Sequence, residues 1–436
     1  MRRTFRAAGT SLPLILLVAF GLRVAFLWNF AAHNPKQALG TVPFLFEAGN
    51  IAYSLVTGHG FSSPFRVDTG PTAWMTPVYP LILAGIFRLF GAYTFSAFLA
   101  AAMVNILATT LASIPIYAAG KRIGGAGTAA GAAWLWAVFP NAIEIPSTSL
   151  WDASIAALLA ATILWATLVL AESKGTGLGP WVGYGLLWGS ALMTTATLGG
   201  LLPFLLAWMV YRRHRLALGW LLRPVLAMAV AALCCLPWAA RNYEVFHAFI
   251  PLRSILGLQL WVGNNPQAQE IWLGTQHPIH DGAERQKYVD LGEVRYMRDA
   301  EQKAMRYMAT HPGREANLIW HRFLEFWSGG SPRPITDFLR ARSAWFRFVL
   351  LFNLVVAGGG AMGIIVLVRS KNACWFPLVV FLAVLPWAYY LTVVLPRYSL
   401  PVDPAVMLAV AAGIRFPSPR VEREGARAGW SDPPAT

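Results

Sequence analysis

Apolar residues run along this chain in long blocks separated by short polar punctuation, and the blocks outweigh any period-two or period-3.6 alternation. Crossing a bilayer's hydrocarbon core takes about 20 mostly apolar residues. Ten such segments can be placed, near 10–30, 77–92, 95–118, 126–142, 149–171, 181–211, 219–240, 344–368, 373–395 and 399–415. The pattern predicts an all-α polytopic membrane protein, a helical bundle of about 10–11 transmembrane helices with external interfacial helices.

Two polar stretches interrupt the blocks, 31–76 and 244–343. Loops of this length are usually functional or disordered, and both carry ordered patterns. From Phe44 to Thr57 a short helix is predicted in which Glu47, Asn50 and Ser54 share one face and Leu45, Ala48, Ala52 and Leu55 another, with the polar face wet. Gly58 ends it, and Pro77 and Pro80 suit the first turn of the following span. In the second stretch, RNYEVFHAFIPLRSILGLQLWVGNNP predicts short extended pieces ended by a turn at Asn264-Asn265. Asp281–Trp327 is charged and amphipathic, a helix broken at His311-Pro312-Gly313 and closing on RFLEFW, whose aromatics suit a membrane interface. The chain thus divides into an N-terminal membrane module (1–243) carrying the first external loop, a large external loop (244–343), C-terminal membrane helices (344–415) and a cytoplasmic disordered tail (416–436).

Composition agrees: 56% of residues are hydrophobic and 13% charged, against about a quarter charged in soluble domains. Cys234, Cys235 and Cys374 fall inside predicted spans and give neither a disulfide framework nor metal-ligand spacing. The first apolar run is longer than a signal-peptide core and carries Arg23, so it is expected to be a retained span. The net charge of +15 comes from clusters beside spans: Arg2, Arg3 and Arg6; Arg212, Arg213, Arg215 and Arg223; Arg369 and Lys371; Arg415, Arg420, Arg423 and Arg427. That is a positive-inside pattern, not the interleaved basic face of a nucleic-acid binder. It puts 31–76 and 244–343 outside, where they hold 13 of the 20 acids. Lys121-Arg122 resists the scheme, since strict alternation leaves that pair outside.

A first span, an external loop with an acid and a small helix, TAWMTPVYPLILAGIFRLFG, GKRIGG, and RYSLPVDPAVMLAVAAG near the end occur in an order that resembles the GT-C superfamily of polyprenyl-phosphate-sugar glycosyltransferases. The likeness covers most of residues 10–415 and is greatest to the bacterial family 39 type, relatives of protein O-mannosyltransferases and aminoarabinose transferases. It implies a GT-C type helical bundle with a lipid-facing groove. It also implies a catalytic acid in the first external loop, a position matched here by Glu47. The family often has two adjacent acids there; this chain has Phe46-Glu47-Ala48, so no metal ligands are assigned and the need for a divalent metal stays open.

The chemistry suits these residues. Sugar transfer from a polyprenyl phosphate needs a base for the acceptor hydroxyl, worth about 10²–10⁴-fold, and cations for the departing phosphate, which guanidinium binds bidentately. Glu47 is the candidate base, and Arg66, Arg241, Arg253 and Arg397 are the candidate phosphate ligands. Each has a plainer alternative: Arg241 as a snorkelling anchor, Arg397 as the partner of Asp403, Arg23 as structural. Asp68, Tyr79, Asn50, Tyr53 and His59 are candidate substrate contacts. Arg322, with Glu325 and Trp327, either closes the groove over the lipid phosphate or anchors the interface. The expected partners are a polyprenyl-phosphate-sugar donor, a protein, lipid or polysaccharide acceptor and the lipid bilayer. The expected location is a bacterial cytoplasmic membrane with the site facing outward. The rival classes are a transporter or lipid flippase and a polyprenyl-diphosphate-dependent glycan ligase. Paired broken helices at mid-membrane would mark a transporter, whereas this chain concentrates its polar residues in external loops.

Overall fold

The computed structural model describes residues 11–34, 44, 46–173, 177–212, 221–269 and 274–414. Leu45, the basic residues before Thr10, Arg213, Arg215, Arg415 and the tail beyond it lie outside the described residues. Within them the chain is helical, with no strand and an isolated antiparallel bridge between Ser62 and Pro71. Five helical stretches are long and apolar enough to cross a membrane, and four shorter apolar ones accompany them.

Helix α1 (Leu12–His33) turns Ile15, Ala19, Arg23 and Leu27 inward at a four-residue spacing, one stripe of a helix. Arg23 is fully buried. Its guanidinium donates to Thr109 Oγ1 (3.1 Å) and to the carbonyls of Ala19 (2.8 Å), Ala137 and Trp136 (both 3.2 Å), which makes it structural.

Helix α2 (Glu47–Val56) lies in the first loop, and α3 (Val78–Phe90) packs along it. Phe44 meets Phe87 edge-on (centroids 4.9 Å apart) and Tyr53 meets Tyr93 (5.2 Å). Segment 77–92 was expected to cross. Instead α3, of 13 residues, lies along α2, with Phe87 packed on Phe44 of the first loop and on Tyr93, and it stays at the loop end.

Helices α4 (Phe95–Leu111) and α5 (Ser113–Val138) form the next two passes. The chain reverses inside α5 at Gly124-Gly125, where Gly125 takes φ +81°, a conformation glycine adopts at no steric cost. The arms then meet so closely that a Cβ on Gly120 would lie 2.6 Å from Ala129 Cα. Helices α6 (Pro140–Thr148) and α7 (Ala153–Glu172) follow. Glu172 pairs with Arg122, and both lie near Arg212 and Cys374 at the end of the bundle opposite the loops.

The expected single span 181–211 is two passes. Helix α8 (Gly179–Thr194) stops at Thr195, which is extended, and a 3₁₀ turn (Ala196–Leu201) leads into α9 (Leu202–Arg212). The Thr76 hydroxyl donates to the Thr194 carbonyl (2.7 Å) and pins the break at the loop end. One pass is lost at α3 and one gained here, so the number of passes stands while the register shifts. Lys121 and Arg122 now fall at the same end as Arg212, Arg369 and Lys371.

Helix α10 (Leu222–Phe246) carries RNYEVF, and α11 (Leu256–Gly263) carries LGLQLWVG, so the expected extended pieces are helical. Asn264 and Asn265 do form the turn; the Asn265 side chain accepts from Gln267 N (2.8 Å). The charged region gives α12 (Gly282–Leu291), α13 (Glu293–Thr310) and α14 (Pro312–Ser328). Asp281 caps α12, Gly292 at φ +74° separates it from α13, and Pro312 opens α14 as expected. Helices α15 (Pro334–Arg340), α16 (Ala344–Arg369), α17 (Trp375–Val384), α18 (Trp387–Tyr390) and α19 (Asp403–Gly413) complete the bundle. A Cβ on Gly363 would lie 1.8 Å from the Ala409 carbonyl oxygen, so α16 and α19 touch backbone to backbone, the packing that small residues give membrane helices.

Candidate active site

Two apolar clusters meet at the loop end. One joins the passes, and the other joins α2, α3, α4 and α11 to α12 and α13. Between them lies a cavity of about 380 Å³, in the size range of small-molecule sites.

Glu47 enters it as the first residue of α2, with Phe46 extended before it. A carboxylate is favoured at a helix N-terminus, yet Glu47 is only 5% exposed. The expected wet face is therefore buried: Asn50 and Ser54 lie beneath the 59–72 loop, and Asn50 Nδ2 donates to the Pro64 carbonyl (2.9 Å). Burial raises the Glu47 pKa from 4.5 to about 7, against the opposing pull of its own backbone amide, Arg397 and the Trp74 indole N–H.

Asp152, Arg253 and Arg397 also line the cavity. Asp152 sits just before α7, held by the Thr195 side chain; burial raises its pKa, and Arg253 and Arg397 lower it. Arg397 stacks on Trp151 (4.4 Å to the ring centroid) and Tyr398 (5.1 Å). A hydroxyl chain, Thr195 to Thr197 (3.1 Å) to Tyr389 (3.2 Å), belongs to the same lining. From the second loop His277 comes in with Nε2 3.5 Å from Glu47 Oε1. Its Nδ1 accepts from the Ile279 amide (3.2 Å), and burial and the neighbouring His280 push its pKa down to about 3, so the imidazole is neutral.

The two loops are tied together by Glu293, the first residue of α13. Its carboxylate accepts from Thr72 Oγ1 (2.5 Å), Ala73 N (2.8 Å), Ser254 Oγ (2.6 Å) and Tyr288 OH (2.6 Å). Ser254 N also donates to the Ala73 carbonyl (2.9 Å). Trp74 and Arg253, the next residues along, are thereby fixed at the cavity wall.

Of the residues selected from sequence, the structure brings Glu47, Arg253 and Arg397 together. Asp403 turns to Ser399 (3.2 Å), so it is not the partner of Arg397. Arg66, Asp68, Asn50, Tyr53 and His59 line a separate, more open depression of about 540 Å³. The edge-to-face cluster of Phe65, Trp74 and Tyr288 walls it off from the cavity. In it Asp68 accepts from Ser63 Oγ and Gly70 N (both 3.1 Å) and holds its own loop. Tyr79 is buried against Asn105. Arg241 donates to the carbonyls of Thr72 (2.7 Å) and Phe61 (2.8 Å) and stacks on Trp238 (5.1 Å), a clamp rather than a cavity residue. Arg322 is buried on Asn264 Oδ1 (2.9 Å) and the carbonyls of Gly263 and Tyr390, binding α14 to α11 and α18. Sequence reasoning missed Asp152, Trp151 and His277. Asp152 had a signal, an acid heading an apolar run in SLWDAS; His277 in QHPIHD had none.

Among the described residues no three His, Cys, Asp or Glu side chains converge as a metal-ligand set. Glu47, Asp152 and His277 share the cavity, and Nδ1 of His277 accepts from a backbone amide.

Residues 74–240 match the family model of dolichyl-phosphate-mannose-protein mannosyltransferase. The fold is similar to the oligosaccharyltransferase of Archaeoglobus fulgidus, solved with Zn and sulfate: 14% identity over 92% of this chain and 48% of that one, TM-score 0.53. The same organism's AglB, in complex with an inhibitory peptide and a dolichol-phosphate, aligns at 16% identity over 92% and 49%, TM-score 0.52. ArnT from Cupriavidus metallidurans bound to undecaprenyl phosphate aligns at 14% identity over 92% and 76%, with a TM-score of 0.41. No curated protein matches the sequence. The chain spans about half the length of the archaeal structures. Its fold is similar to that of these archaeal oligosaccharyltransferases, and its residues 74–240 are similar in sequence to the dolichyl-phosphate-mannose-protein mannosyltransferase family.

Proposed function

We propose that this protein is an inverting glycosyltransferase that moves a sugar from a polyprenyl-phosphate donor to an acceptor hydroxyl on the outer side of a bacterial cytoplasmic membrane. The observation that carries this is one cavity at the loop end lined together by a buried carboxylate, Glu47, and two guanidiniums, Arg253 and Arg397. The family model over 74–240 and the dolichol-phosphate bound to AglB support a lipid-phosphate donor. Arg122, Arg212, Arg369 and Lys371 at the opposite end support an outward-facing site.

In the reaction Glu47 takes the acceptor's hydroxyl proton as the acceptor oxygen bonds to the anomeric carbon. The carbon–phosphate-oxygen bond breaks, and polyprenyl phosphate leaves with the electron pair, held by Arg253 and Arg397. One direct displacement inverts the anomeric centre. Burial keeps Glu47 basic enough for the task, since a base is most effective with a pKa near the working pH.

The test uses purified protein in liposomes with a synthetic polyprenyl-phosphate sugar. Wild type is expected to transfer sugar, and Glu47→Gln to lose at least ~100-fold while binding donor as wild type does. A Glu47→Gln variant at wild-type rate overturns the assignment. Donor-independent solute or lipid translocation without transfer overturns the enzyme in favour of a transporter, and selective use of a diphosphate donor favours a ligase. Glycan and lipid mass spectrometry of a deletion strain identifies sugar and acceptor.

A further inference from the structure

His277 stands with Nε2 3.5 Å from Glu47, and the reaction above leaves it without a role. It stands in a segment shaped to present it. Gly274 (φ +71°) and Gln276 (φ +61°) both take left-handed backbone. His280 N and Asp281 N both donate to the His277 carbonyl (2.9 Å), Arg285 Nη1 donates to the Pro278 carbonyl (3.1 Å), and Asp281 caps α12. A Cβ on Gly274 would lie 2.7 Å from the His280 ring, so the segment is packed on itself. The imidazole stands edge-on to Trp74 (centroids 5.6 Å apart) at the cavity wall.

Its tautomer follows from its neighbours. The Ile279 amide can only donate, so Nδ1 accepts and the ring hydrogen sits on Nε2, which faces Glu47 Oε1 at 3.5 Å. We infer that His277 is a positioning residue for Glu47: a neutral imidazole, locked in one tautomer by the Ile279 amide, directs its Nε2–H at the carboxylate and holds it towards the acceptor without neutralising it. A cation in this place would depress the carboxylate's basicity, whereas a neutral donor orients it at smaller cost. The contact is long for a hydrogen bond, and such contacts commonly tighten when substrate binds. Orientation held by supporting side chains is what a working base needs.

His277 has this role only if Glu47 is the base proposed above, and the experiment separates the two. The other groups acting on Glu47 are Arg397 and the Trp74 indole N–H, with Asp152 and Arg253 also lining the cavity and His280 beside the imidazole. The test compares His277→Gln, His277→Asn and His277→Phe for kcat/KM against pH on the synthetic donor, with thermal unfolding in parallel. Gln places an N–H near the Nε2 position and Asn an acceptor near the Nδ1 position. The expected result is a loss of about tenfold at neutral pH in the Phe and Asn variants, with the acid limb moved to higher pH and the loss partly recovered there, while Gln restores both rate and limb. Rescue by Asn but not Gln, or losses in all three with an unmoved acid limb, overturns the inference and leaves the ring a turn-holding group. Failure of the base assignment itself shows separately, as a Glu47→Gln variant that keeps its rate.

Discussion

Glu47 has its charge chemistry and its stability set in opposition. Its pKa stands at about 7 in the folded chain against 4.5 ordinarily. Between those values the folded state holds a proton that the unfolded chain has released, so stability falls as pH rises through that window, by about 3 kcal/mol in total. Activity runs the other way, because the base must be ionised, and the rate is expected to rise through pH 7. Replacing the carboxyl by a neutral amide should therefore abolish transfer and at the same time stabilise the protein. Thermal unfolding in detergent checks this: Glu47→Gln should melt a few degrees above wild type at pH 8 and within error of it at pH 4.5. Equal melting at both values would mean that the carboxylate is not charged against its surroundings. The acid itself was legible in sequence, as a lone carboxylate at the head of a short amphipathic pattern. Its burial was not, because Asn50, Ser54 and Glu47 read as a wet stripe until the 59–72 loop is seen folded over them.

Elements meet through Glu293, and here a single side chain sets where two loops sit. Its four donors come from residues 72, 73, 254 and 288, so removing the carboxylate leaves several buried donors without an acceptor, each worth roughly 1–3 kcal/mol. Glu293→Ala is expected to lower stability by about 3–5 kcal/mol and, by loosening Trp74 and Arg253, to weaken donor binding. Glu293→Gln, with one acceptor oxygen left, should fall between. Unfolding by heat and a donor-binding titration report the two effects, and a Glu293→Ala variant with unchanged donor affinity would separate the knot from the cavity. Nothing in the sequence marks Glu293 among its charged neighbours, since two of its four partners lie 220 and 221 residues away. The same distance limit explains α10 and α11. RNYEVF and LGLQLWVG are rich in β-branched and aromatic residues and suggest strands by composition, but tertiary packing overrides so weak a preference. The helix break at His311-Pro312-Gly313 was legible because proline acts locally.

At the scale of the whole molecule, block hydropathy gave the architecture but not the register. The bundle, the two long loops and both breaks of charge were visible from apolar length alone. Whether a block crosses depends on what it packs against, as α3 lies along α2, and 181–211 crosses twice because its helix breaks at Thr195, where Thr76 donates to the Thr194 carbonyl. These two errors offset each other in number and put the connections between them, with Lys121-Arg122, Glu144 and Glu172, on the wrong side. In the corrected register Glu172, Arg122 and Arg212 share one end, and the cavity opens at the other. Single cysteines in a background lacking Cys234, Cys235 and Cys374 test this in intact cells with an impermeant thiol reagent. Val67 is exposed in the first loop, and Val67→Cys should label from outside. Lys121→Cys should label only after the membrane is opened, together with Lys371→Cys. Labelling of Lys121→Cys in sealed cells would restore the alternating register, make α3 a crossing element and separate Arg122 from Arg212. It would also remove the basic end on which the outward direction of the cavity depends.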